Sequence, residues 1–277
     1  MATDLQAILQ RPIGEKITSL AALVEHESPT DAAITAAVSI LEQDQGEPKN
    51  RLLLAEALGY AGDPRLSSPS QQEYWTRVQL EDYELDVGRF LVTTQEWLVF
   101  LDSGEYKNNA HWSVQGIAWR DAERRTWRDL AASPEAAPLI VPNQPVVGVS
   151  WFEAEAYANA HQARLMDFSE RVQVVRGQEK RPYPWGAPFR HGHANTKEEA
   201  LARPCPVGMF VHDKTPEGVC DLAGNVAEWT NDMDQGKRVI HPGSWSHDSM
   251  ASWAKASNWI SAAARLDNLG FRVVRDR

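Results

Sequence analysis

Gly218-Val219-Cys220-Asp221-Leu222-Ala223-Gly224-Asn225-Val226-Ala227-Glu228-Trp229 is the most informative run in this 277-residue chain. Asp221 and Glu228 set two carboxylates on either side of Gly224-Asn225, a pair suited to a tight turn. Calcium takes several hard oxygen ligands from carboxylates and backbone carbonyls, so such a run can form a cation loop. The same residues equally make a solvated turn with two surface acids. Spacing alone does not separate these readings.

The surrounding composition narrows the classes of function. The formal charge is −10, and no Lys/Arg run interrupts it. Binding to nucleic acid or an anionic membrane through bulk electrostatics is therefore not expected. Apolar residues make up 43% of the chain, enough for a sizeable core. No stretch approaches the ~18 apolar residues of a membrane span, and the N-terminus lacks the basic start and apolar run of a signal peptide. Only two cysteines occur, Cys205 and Cys220, and a disulfide between them stays open. A secreted disulfide scaffold would carry more, so a reduced, cytoplasmic protein is expected.

All 11 tryptophans lie between Trp75 and Trp259. That asymmetry suggests two parts, 1–68 and 69–277. In the first, Leu5, Ile8, Leu9, Ile17, Leu20, Leu23 and Val24 recur at helical spacing. Ser28-Pro29-Thr30-Asp31 breaks the pattern, with Thr30 or Asp31 able to cap a helix carrying Ile34, Val38 and Leu41. Gly46-Glu47-Pro48 breaks it again before a helix over Leu52–Leu58, ending near Gly59. The run Ala55–Arg65 resembles the end of a HEAT-type repeat, although a plain helical cap on the larger domain fits as well. Leu66-Ser67-Ser68-Pro69-Ser70 reads as the linker. Beyond it, Val78, Leu80, Tyr83, Leu85 and Val87 suggest short strands. Thr93 with Glu96, and Ser150 with Glu153, resemble capping boxes. Val146–Val149 is expected to be a short strand, and past about residue 177 fixed loops take over.

Asp221–Trp229 resembles the signature of the formylglycine-generating enzyme (sulfatase-modifying factor) family. Further pieces follow in that family's order: Val87–Thr93, Asn143–Trp151, Arg181–Gly186, Pro206–Phe210, Pro242-Gly243-Ser244-Trp245 and Leu269–Val273. The resemblance runs from about residue 72 to 275. It implies an irregular, loop-rich α+β fold related to C-type lectins, here with a small all-α N-terminal region. It also implies a structural Ca²⁺ held by the Asp221 and Glu228 side chains and the carbonyls of Gly224 and Val226. A second calcium site of the family is in doubt, since Asn195 is present but Gly208 stands where an acid is expected.

One departure bears on activity. The family's oxidase binds copper through two cysteines after Gly-Ser-Trp, a soft metal on soft ligands. Those places hold His247 and Ser252, so formylglycine synthesis is not expected and copper is not expected as a cofactor. A branch of the family uses non-haem iron with a His-rich helical domain ahead of this one. Residues 1–74 contain only His26, so iron is not expected either. His191 and His193 flank Gly192 and could chelate a metal or simply lie exposed. Adjacent Ser246, His247 and Asp248 lack the convergent geometry of a triad.

Residues 246–268 mix small polar residues with Met250, Trp253, Trp259 and Ile260. Rigid aromatics among Ser, Asn and Asp are what binding surfaces use, although both tryptophans would also serve as core. The expectation is a non-catalytic module binding a protein or small ligand through His247, Met250, Trp253, Lys255 and Trp259. Two alternatives stand beside it. One is a metal-dependent oxidase with altered ligands. The other is a variable protein of a diversity-generating retroelement, whose final segment occupies this place.

Overall fold

The computed structural model describes residues 5–25 and 29–277; His26 and Ser28, named above, lie outside them. The chain opens with α1 (Leu5–Leu9), α2 (Ile13–Val24), α3 (Asp31–Glu42) and α4 (Pro48–Ala61). Thr30 caps α3 by accepting the Ala33 N–H at 3.3 Å. Pro48 opens α4 at a position whose N–H would have no helical partner anyway. Each helix turns one apolar stripe inward: Ile17, Leu20 and Val24, then Ala37, Ile40 and Leu41, then Leu54 and Leu58. The three longer helices touch one another and form a small bundle. The bundle does not stand alone, because Leu201, Cys205, Met209 and Phe210 from far along the chain complete its core.

Two four-stranded sheets organise the rest. β1 (Trp75–Gln79) and β2 (Glu84–Gly88) form a hairpin. After it come α5 (Thr94–Asp102), α6 (Val114–Ala122), α7 (Trp127–Ala131), α8 (Trp151–Ala160), β3 (Arg164–Leu165) and α9 (Phe168–Arg176). Loops then run to β4 (Ala227–Asp234) and β5 (Lys237–His241), followed by β6 (Asn258–Ile260), β7 (Leu269–Gly270) and β8 (Val273–Asp276). The first sheet has the order β1-β2-β8-β3 and the second β6-β5-β4-β7, with β4 and β7 parallel. Both capping boxes read from sequence are formed, at Thr93/Glu96 on α5 and Ser150/Glu153 on α8.

The expected strand at Val146–Val149 is not one. Val146 donates to Val92 and Gly148 to Leu266, so consecutive bonds go to two different partners. Gly148, at φ +71°, turns the backbone away from any continuous ladder.

Tryptophan is abundant because such irregular segments need both apolar bulk and N–H donors. Trp97 is fully buried, with the rings of Phe100, Tyr157 and Phe271 at 5.3, 6.1 and 6.3 Å. The indole N–H groups of Trp127, Trp151 and Trp229 donate to the carbonyls of Val147, Thr230 and Val149 at 2.8, 2.9 and 3.0 Å. Each ring thereby satisfies a buried backbone carbonyl.

Candidate functional site

The Asp221–Trp229 loop is buried, and its organiser is Asp213, a residue the sequence did not single out. The Asp213 carboxylate accepts the N–H groups of Leu222, Ala223 and Gly224 at 2.9–3.1 Å. Burial and the charge of Asp221 push its carboxyl up to about 8. Asp221 adopts φ +57° and Asn225 φ +68°, so the turn is tight on both sides of Gly224. A Cβ on Gly224 would lie 2.5 Å from the Asn195 carbonyl oxygen, which leaves room for glycine alone. The Asn225 side chain exchanges two hydrogen bonds of 3.0 Å with the backbone of Cys205.

Glu228 is paired with two arginines. Its Oε1 accepts from Arg171 at 3.0 and 2.6 Å, and its Oε2 from Arg272 at 3.2 Å. All three side chains are almost fully buried. The same guanidinium groups take nearby carbonyls: Arg171 donates to Leu222, and Arg272 to Cys220 at 2.6 Å. Asp221 accepts the Gly208 N–H at 2.7 Å, and burial pushes its carboxyl up to about 6. Of the expected calcium ligands Asp221, Gly224, Val226 and Glu228, the last is thus already engaged by two guanidinium groups, which disfavours a dication at this carboxylate. An added divalent charge would sit against two buried guanidinium groups already paired with the same carboxylate, and would leave them unpaired. Arg171 and Arg272 balance Glu228, whereas Asp213 and Asp221 are held by backbone amides. At the second position in doubt, Asn195 is buried and donates to the Arg203 carbonyl, while Gly208 contributes its N–H to Asp221.

The cysteines are separate and free, both buried. The histidines do not converge. His193 stacks on His212 with ring centroids 4.4 Å apart, whereas His191 meets Phe189. His241 is fully buried against the Trp253 carbonyl, and burial beside Arg171 holds it well below the usual imidazole range. Among the described residues no group of three or more His, Cys, Asp and Glu side chains is placed to hold a metal ion.

The C-terminal segment is the opposite of the buried loop. Met250, Trp253 and Trp259 are 81%, 47% and 46% exposed, and His247 and Lys255 are exposed beside them. Trp259 lies on β6, the edge strand, opposite Val239, and the Trp253 backbone is held by Met250 and His241. The His247 ring is tied to Ser244 at 2.8 Å and to Ser246 at 3.2 Å. Ser252, the other position where the family has a thiol, is buried. Near the end of the segment a cavity of about 190 Å³, lined by Trp127, Leu130, Ile140, Val147 and Leu266, adds an apolar recess that no sequence signal marked.

A family model described as the sulfatase-modifying factor enzyme 1-like domain matches residues 55–277. The chain belongs to this family. Its relatives include hercynine oxygenases from Mycolicibacterium thermoresistibile, 35% identical over 52% of this chain, and from Mycobacterium tuberculosis, 33% identical over 69%. The inactive C-alpha-formylglycine-generating enzyme 2 of Bos taurus is 32% identical over 62% of the chain. The chain spans 35%, 52% and 64% of the lengths of these three relatives. Among solved structures, PvdO from Pseudomonas aeruginosa superposes with a TM-score of 0.50 at 21% identity, covering 74% of this chain and 91% of that one. Treponema denticola variable protein 1 does so at 0.50 and 15%, covering 73% and 95%. These two likenesses establish the C-type-lectin-like α+β fold. No helix among the described residues is long and apolar enough to cross a membrane.

Proposed function

We propose that this chain is a binding module on a sulfatase-modifying-factor-like frame, presenting residues 246–268 to a protein partner or a small ligand. One observation carries the reading: Met250, Trp253 and Trp259 are exposed on a single segment of a protein that buries most of its other tryptophans. Leaving three large apolar side chains in water has no folding benefit, and exposed aromatics of this kind mark contact surfaces. The exchange of the family's two thiols for His247 and Ser252 favours binding over oxidation at this place. Substituting Trp253 and Trp259 by Ser is expected to abolish capture of a partner from the native host while the melting temperature holds. Capture that survives the double substitution ends this assignment.

A second reading is a metal-dependent oxygenase or oxidase, favoured by the similarity to hercynine oxygenases. It requires ligands other than the absent thiols, with His247 the first candidate. Elemental analysis of the purified protein separates the readings: stoichiometric iron or copper supports the oxygenase and removes the binding module. The likeness to the Treponema variable protein is one of fold alone, and it adds no argument for diversification of this segment.

A further inference from the structure

A cavity of about 270 Å³, sharing no residue with the 246–268 segment, opens between the 62–71 stretch, the start of α5 and the end of α8. Leu66, Pro69 and Val99 form its apolar side, and Tyr157, His161 and Glu96 its inner wall. Glu96 is half engaged. Its Oε2 accepts the N–H and O–H of Thr93 at 2.8 and 2.6 Å, as the capping box requires. Its Oε1 has a 3.4 Å contact with the Tyr157 hydroxyl. The buried Tyr74 hydroxyl faces the same carboxyl and acts on it, though without a hydrogen bond of full geometry.

The charge pattern around it is one-sided. Asp63, Asp86, Glu153, Glu170 and Glu228 each meet an arginine. Glu96 meets no Lys, Arg or His within ion-pair distance among the described residues. Of the other charged groups facing the cavity, Asp63 is neutralised by Arg65, and burial lowers the His161 imidazole so that it adds no positive charge near neutral pH. Arg272, whose charge also acts on Tyr74, is committed to Glu228. The Tyr157 and His161 rings lie 4.3 Å apart along one wall.

We propose that this cavity binds a small organic cation, its ammonium group paired with Glu96 and its apolar part against Tyr157 and His161. An aromatic wall beside a lone carboxyl is what alkylammonium groups favour. The volume lies just under the usual range for drug-sized ligands, which limits the ligand to a compact amine. Burial pushes the free Glu96 carboxyl up to about 7, so a bound cation would draw it to the ionised form.

Calorimetric titration with n-butylammonium chloride, tetramethylammonium chloride and, as the anionic control, sodium butyrate tests this at fixed ionic strength. At least one ammonium is expected to bind saturably while butyrate does not. Glu96→Gln should weaken that binding by about tenfold or more. Because Glu96 also caps α5, Val99→Trp serves as an independent variant. Val99 is 61% exposed at the rim, so a bulkier ring can close the cavity without touching the carboxyl. Butyrate binding as strong as that of the ammonium ions, no saturation by either ammonium, or binding that survives both substitutions overturns the proposal.

Discussion

The 213–229 loop and the 246–260 segment are both irregular, both rich in residues that carry chemistry, and opposite in what they do with them. In the loop three acids are buried and hydrogen-bonded: Glu228 to Arg171 and Arg272, Asp213 to three backbone amides and Asp221 to the Gly208 amide. In the segment the large apolar side chains Met250, Trp253 and Trp259 stay in water. Polar groups inside hold the frame, and apolar groups outside are free to meet something else. Which side of the surface a residue occupies, more than its type, separates architecture from contact here.

The comparison breaks most visibly at Glu228. Replacing it with Ala strands two buried guanidinium groups, and the expected cost is about 3–5 kcal/mol in urea unfolding. A loss below about 1 kcal/mol, the scale of an exposed pair, would mean that the arginines find other partners. Asp213→Ala leaves the amides of Leu222, Ala223 and Gly224 without their acceptor, and about 1–3 kcal/mol should be lost. In contrast, Trp253→Ser with Trp259→Ser should move stability by no more than about 0.5 kcal/mol, as surface changes usually do.

A smaller effect comes from pH. The folded carboxyl of Glu96 sits at about 7, above the ~4.3 of an unfolded glutamate. The folded state therefore holds this proton more tightly. Its contribution is complete below the unfolded value and is lost as pH rises through about 7. Asp213, at about 8, and Asp221, at about 6, act in the same direction. Melting temperature should fall between mildly acidic and mildly alkaline buffer, and Glu96→Gln should flatten part of that slope. A slope unchanged by the substitution would remove Glu96 from the account. The smallest expected effect is that of a calcium chelator, which should leave the melting temperature where it was. A clear drop on chelation, reversed by added calcium, would put a cation back beside Asp221 through mass action on the native state.

How much of this could be read beforehand follows from the distance over which each interaction acts. Thr30, Thr93 and Ser150 were legible because a cap and its acceptor lie within a turn of each other. The family motifs were legible because their order survives in the chain. The partners of Glu228 were not, since Arg171 and Arg272 lie 57 and 44 residues away and nothing local marks them. Two acids around Gly-Asn look the same whether a metal or a pair of arginines neutralises them. Asp213 escaped notice for a related reason: its ligands are backbone amides, which every residue type supplies. The exposure of Trp253 and Trp259 was equally invisible, because tryptophan in this chain serves as core at Trp97 and as surface at Trp259.

The place of β8 has a consequence for how the molecule is made. The strand lies between β2 and β3, and its own Val273, with Phe271 just before it, belongs to the largest core cluster. Arg272, one of the two cations that Glu228 needs, arrives on the same stretch. On a ribosome, the β1–β2 hairpin emerges nearly two hundred residues earlier, yet the free edge of β2 has no strand to pair with until Val273–Asp276 is out. Assembly from contacts this distant in sequence is slow, because the loop must close before the pairing rewards it. The first sheet therefore closes only once β8 has been made.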